Sequence, residues 1–153
     1  MVIGNPSGVE EERQRLSYEV AVYREQLRLL QREMERITLT LLDLKNAERT
    51  ASNLKDGQSL VPIGGGAFLN SDINSHTLLV PVGAGYLVQM GREEAARELA
   101  RRIESTEKAL HRLEEEFGGI SGKLNSIGTK LGTLQSEMAL NKRVEENIGE
   151  DYL

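Results

Sequence analysis

Apolar residues recur in a strict 4, 3 alternation along two stretches of this chain, and a Gly-rich segment of 36 residues divides them. In the first stretch, about residues 8–55, the stripe is Leu16, Val20, Tyr23, Leu27, Leu30, Met34, Ile37, Leu41 and Leu44. In the second, about residues 92–148, it is Leu99, Ile103, Thr106, Leu110, Leu113, Phe117, Ile120, Leu124, Ile127, Leu131, Leu134 and Met138, with Ala96 extending it backwards. A 3.5-residue period keeps such a stripe on one narrow face of an α-helix, so each stretch must bury a seam against another helix rather than enter a globular core. The expected fold is mainly α with a small β insert, in which two helices run antiparallel from that insert as a long coiled coil. A chain built this way has almost no interior. Its function has to sit at the ends of the coil or in its assembly.

Composition supports narrow seams over a large core, with 4% aromatic residues, 28% charged residues and a mean hydropathy of −0.40. The absence of cysteine excludes disulfides, cysteine-based zinc sites and thiol nucleophiles, and it agrees with a reducing cytosol. No apolar run approaches the ~18–20 residues needed to span a membrane, and the start MVIGNPSG lacks the basic flank and apolar core of a secretion signal. The expectation is a soluble, cytoplasmic protein with no membrane partner. The net charge is −5, and residues 8–55 carry nine basic and nine acidic groups against ten and thirteen in residues 92–153. Nucleic-acid binding normally needs a basic stripe that outweighs its acids, so no nucleic-acid partner is expected. Mixed runs such as residues 25–32 and 97–102 read as solvated helix faces laced with short-range ion pairs.

Local chemistry divides the chain into an N-terminal helix (1–55), the insert (56–91) and a C-terminal helix with its tip (92–153). Ser7-Gly8-Val9-Glu10 fits a capping box that starts the first helix near Gly8. Lys55 in the last turn and Gly57 just beyond suit a left-handed C-terminal cap. The second helix starts after Gly91, with Glu93 and Glu94 complementing its dipole. At 1.5 Å per residue the helices are roughly 70 and 85 Å long, and the mismatch leaves the last turns of the second helix, around Met138 to Ile148, projecting past the start of the first. Gly118, Gly119, Gly122, Gly128 and Gly132 lie in this outer half. They imply either a less rigid arm or close helix approach at small residues.

The insert contains an internal repeat. Residues 60–69, LVPIGGGAFL, align at an offset of 19 with residues 79–88, LVPVGAGYLV, with five identities. Each copy reads as strand, tight glycine turn, strand, and the polar link 70–76 joins the two hairpins. Pro62 and Pro81 cannot donate ladder hydrogen bonds and belong at edges or non-bonded positions. Four short strands on one coiled coil cannot bury both faces, so Val61, Ile63, Phe68, Leu69, Leu79, Val80, Val82, Leu87 and Val88 are expected to stay exposed in a monomer and to drive oligomerisation. Neighbouring chains then complete a shared β-barrel body from which the coils radiate.

This order of long helix, LVPIGGGAFL, polar link, LVPVGAGYLV and long helix resembles the alpha subunits of archaeal prefoldin over essentially the whole chain. The doubled hairpin motif distinguishes them from the single-hairpin beta type. The resemblance implies a hexamer of two alpha and four beta subunits, with a double β-barrel body and six coiled-coil tentacles whose tips enclose a cavity. It further implies a chaperone that holds non-native client proteins without ATP and passes them to a group II chaperonin. Client contacts would fall at the ends of both helices. Here those ends supply Val2, Ile3 and Val9 from the first helix and Ile148, Tyr152 and Leu153 from the second, with Leu140 and Val144 as further candidates off the seam.

Nothing in the sequence makes a catalytic site. Gly64-Gly65-Gly66 and Gly83-Ala84-Gly85 lack the Lys-Ser/Thr of a phosphate loop, and Gly83–Val88 lacks the third glycine of a dinucleotide fingerprint. His76 and His111 have no ligand spacing to one another, and Glu114, Glu115 and Glu116 occupy neighbouring helix positions without converging. The expectation is a non-enzyme with no cofactor and no metal. The rival reading is a structural or tethering coiled coil that oligomerises through its insert.

Overall fold

The computed structural model describes residues 6–74 and 76–150. In chain order the elements are α1 (Pro6–Asn53), β1 (Gly57–Gly64), β2 (Ala67–Ile73), β3 (Thr77–Gly83), β4 (Tyr86–Gly91) and α2 (Arg92–Glu150). Two long antiparallel helices pack together and two β-hairpins lie between them in the chain. The protein divides into two compact units, Arg36–His111 and a second made of the chain up to Glu35 with the chain from Arg112 onward.

The ends of α1 depart from the expected caps. The helix starts at Pro6, so Ser7 lies inside the first turn rather than ahead of it. Proline suits that turn because its φ is preset and its missing N–H would have had no helical partner. The Glu10 carboxylate accepts two bonds from the Arg13 guanidinium, at 2.6 and 3.0 Å, and one from the Gln14 amide at 3.2 Å. At the other end the helix stops at Asn53, whose Nδ2 donates to the Arg49 carbonyl at 2.8 Å. Lys55 lies beyond the helix, and Gly57, at φ +119°, opens β1 instead of capping α1.

In the unit Arg36–His111 the small core is Ala51, Val80 and Ala95. Ala47 and Ala51 of α1 border the same cleft as Val80, and their small side chains leave room for that strand residue. Arg92 fastens the junction: its guanidinium donates to the Leu54 carbonyl at 3.3 Å and to the Asp56 carboxylate, and its backbone N–H donates to the His76 carbonyl at 3.3 Å. Lys45 and Glu107 pair across the two helices at 2.8 Å. Both side chains are half exposed, so this contact marks the pairing more than it stabilises it.

In the other unit Leu16 and Ile127 are buried and the remaining seam positions, from Val20 to Met34 and from Leu113 to Leu134, are half shielded. A helix with a single partner can shield only one narrow face, which is why a seam of large apolar residues yields so few fully buried side chains. All nine seam residues of α1 are shielded to this degree, as are those of α2 from Leu99 to Leu134. Met138 is exposed, and the seam ends before it.

Each hairpin is its own two-stranded antiparallel sheet. Val61 pairs with Leu69 and Pro62 with Phe68 in the first; Val80 pairs with Val88 and Pro81 with Leu87 in the second. Both registers shift at the same point, after the proline and before the turn glycine, so the sequence repeat is also a repeat of backbone geometry. The turns place two residues at positive φ between the strands, Gly65 (60°) and Gly66 (77°), then Ala84 (49°) and Gly85 (81°). This is the mirror-image turn whose twist matches paired strands.

Candidate functional site

The hairpins present apolar side chains to solvent on both faces. Alternation along the strands puts Val61 and Leu69 on one face of the first hairpin and Leu60 and Phe68 on the other. In the second, Leu79 and Leu87 lie opposite the face that carries Val80 and Val88. Of the nine residues expected to drive assembly, Val61, Ile63, Phe68, Leu69, Leu79, Val82, Leu87 and Val88 are exposed. Val80 is the correction. It is 4% exposed within its own chain, whereas Val61, its mate in the repeat, is 39% exposed.

The physical reason is a difference in setting. Val80 borders a cleft of about 320 Å³ that Ala47, Ala51, Leu54, Leu78 and Leu99 also line, so this face of the second hairpin sits on the helix bases of its own chain. On the matching face of the first hairpin, Val61 and Leu69 stay exposed. Two exposed residues were missed: Leu60, which the repeat aligns with Leu79, and Tyr86, which stands beside the second turn. The alignment alone was signal enough for Leu60.

The second candidate surface is the end of α2. From Gln135 to Gly149 every residue is exposed, so no face of this stretch is packed. Leu140, Val144 and Ile148 follow one another at i, i+4 and i+8 and form an exposed apolar stripe. Val9 on α1 is half shielded. The structure does not bring these four candidates into a pocket. Val2, Ile3, Tyr152 and Leu153 lie outside the described residues.

Charges elsewhere are paired along the helices. Glu98 accepts from Arg101 at 2.7 and 2.9 Å and from Arg102 at 2.9 Å, which lowers its carboxyl from 4.5 to about 2. The fork of Arg13 with the Gln14 amide holds Glu10 below the ordinary carboxylate range, and the guanidinium of Arg92 does the same for Asp56. Among the described residues no three His, Asp or Glu side chains cluster as a metal site would need, and no helix is long and apolar enough to cross a membrane. What the two surfaces offer is apolar contact: one on paired strands with open edges, the other on a bare helix.

Comparison with known proteins gives a consistent picture. A family model described as prefoldin subunit matches residues 23–137. The prefoldin subunit alpha of Pyrococcus horikoshii is 26% identical over 135 residues, covering 84% of this chain and 91% of the relative. That of Pyrobaculum islandicum is 36% identical over 106 residues, covering 68% of this chain and 80% of the relative. Among solved structures, a filamentous PFD from Methanocaldococcus jannaschii, determined by cryo-EM, matches with a TM-score of 0.60 at 21% identity, over 74% of this chain and 98% of that one. At that identity the last comparison speaks to the fold alone.

Proposed function

Because the chain belongs to the prefoldin family, on the side of its alpha subunits, we propose that it is a subunit of an ATP-independent holdase, which captures non-native proteins at coil ends and passes them to a group II chaperonin. Its hairpins join those of beta-type subunits, two alpha to four beta, in a shared β-barrel body. The complex works in the cytoplasm. The observation that carries this reading is the presence of two unsatisfied apolar surfaces on different elements, the exposed hairpins of the insert and the bare stripe Leu140, Val144, Ile148 late in α2.

Each surface suits its task. Strands with open edges and two apolar faces gain hydrogen bonds and burial together when neighbouring strands cover them, which favours permanent assembly. A three-residue stripe on a single helix gives weak contact. Several such helices held in one complex bind an unfolded chain through effective concentration, and because each contact is weak the client can leave without nucleotide. The test is aggregation of several unrelated denatured proteins, followed by light scattering with the complex present and no nucleotide. Suppression with all of them is expected; a complex that suppresses none, and binds a single native partner instead, is a tether.

A further inference from the structure

One side chain reaches across the junction between the helices and the insert. Arg92 is the first residue of α2, where a cation meets the positive end of its own helix dipole. Its guanidinium lies instead against the end of α1. There Nη1 donates to the Leu54 carbonyl at 3.3 Å, the first carbonyl past the helix, and the last turn of α1 holds no basic residue of its own. A cation that hydrogen-bonds carbonyls at a helix C-terminus stabilises that end. Arg92 thus fills, from the other helix, the place that the sequence assigned to Lys55.

The same guanidinium holds the entrance of the insert. Its Nη2 donates to Asp56, which directly precedes Gly57, and Gly57 opens β1 at φ +119° opposite Ile73. Arg92 is 19% exposed and Asp56 53%, so the arginine is the anchored partner. This pair matters most for the first hairpin. Leu60, Val61, Phe68 and Leu69 stay exposed on both of its faces, and shielding is confined to its base at Gly57, Ser59, Ser71 and Ile73. The second hairpin has two further holds: Val80 is buried beside Ala47 and Ala51, and the His76 carbonyl accepts from the Arg92 backbone N–H one step beyond the Thr77–Gly91 pair. Glycine tolerates a wide range of backbone angles, so the direction of the first hairpin beyond Gly57 depends on what fixes Asp56.

We infer that Arg92 is the positioning residue of the insert: by capping α1 and holding Asp56 it sets the direction in which the first hairpin leaves the helices, while the second hairpin keeps its own seat. Strand pairing between subunits needs edges presented at one angle, because hydrogen bonds weaken steeply once misaligned. The consequence for assembly rests on the reading of the hairpins as the assembly surface.

The chain has no cysteine, so two introduced cysteines carry the only spin labels. Labels at Ala67→Cys and Ala100→Cys report the first hairpin against α2, and labels at Tyr86→Cys and Ala100→Cys report the second, since Ala67 and Tyr86 hold matching register positions. In double electron–electron resonance on the full chain, Asp56→Ala is expected to broaden the first distance distribution about twofold and to leave the second at wild-type width. Arg92→Met is expected to broaden the first as well. An unmoved first distribution in either variant, or equal broadening of both in Asp56→Ala, overturns the assignment. In association with beta-type subunits, Asp56→Ala should weaken binding about threefold, the scale of a half-exposed ion pair, and the exchange Asp56→Arg/Arg92→Asp should recover most of that loss. Unchanged association, or an exchange no better than Asp56→Ala, overturns the role in assembly. If the wild type does not associate with beta-type subunits, the assembly reading fails, and the spin-label comparison still decides the role of Arg92.

Discussion

The repeat supplies an internal control for which hairpin face serves the chain itself and which awaits a partner. Val61 and Val80 occupy matching positions in strands of the same register, so Val→Ala removes the same two methyl groups and the same strand preference at both. What differs is burial, 39% exposure against 4%. That difference is about a third of a valine's surface, roughly 50 Å², or about 1.3 kcal/mol at ~25 cal/mol per Å². The cleft beside Val80 is open, so collapse or water limits any further cavity cost. In urea unfolding of the isolated chain, followed by circular dichroism, Val80→Ala should therefore cost about 1 kcal/mol more than Val61→Ala. On assembly with beta-type subunits the order reverses: Val61→Ala weakens association about fivefold and Val80→Ala leaves it unchanged. Equal costs in the isolated chain, or association insensitive to Val61→Ala, would refute the assignment of the two faces.

Two further outcomes follow from single residues. Ala84 holds φ +49°, where an L-residue pays about 1 kcal/mol that glycine does not, so Ala84→Gly should raise Tm by about 2–4 °C in differential scanning calorimetry; an unchanged Tm would mean the turn is unstrained. Glu98 is held at about 2 by its bonds to Arg101 and Arg102, below its ordinary 4.5. A depressed carboxyl contributes stability above its unfolded value and loses it as pH falls through the folded one, so the deficit of Glu98→Gln against wild type should be full above about pH 4.5 and vanish by about pH 2. Thermal melts across that window read the difference, and a deficit constant with pH would contradict the assignment.

The helical pairing was legible because a 4, 3 alternation has only one geometric solution, and the shielding of Leu16 through Leu44 follows it residue by residue. The hairpins were legible for the same reason, through LVPIGGGAFL and its second copy. What periodicity cannot carry is asymmetry. It scored Val61 and Val80 alike, and only the seating of one hairpin beside Ala47, Ala51 and Leu54 separates them. The end of the first helix misled where one glycine could serve two purposes: Gly57 took positive φ to open a strand. The glycines of α2 were visible in the sequence but ambiguous, since small residues serve close packing and flexibility equally until the space around each one is known.

The central claim is a division of labour, with assembly in the hairpins and client capture at the end of α2. Deleting residues 141–153 removes Val144 and Ile148 and leaves every hairpin residue in place. Native mass spectrometry and aggregation assays on the same preparation then read the two tasks separately. The account predicts unchanged stoichiometry with beta-type subunits and loss of client protection. A complex that falls apart, or one that protects as the full chain does, would contradict it.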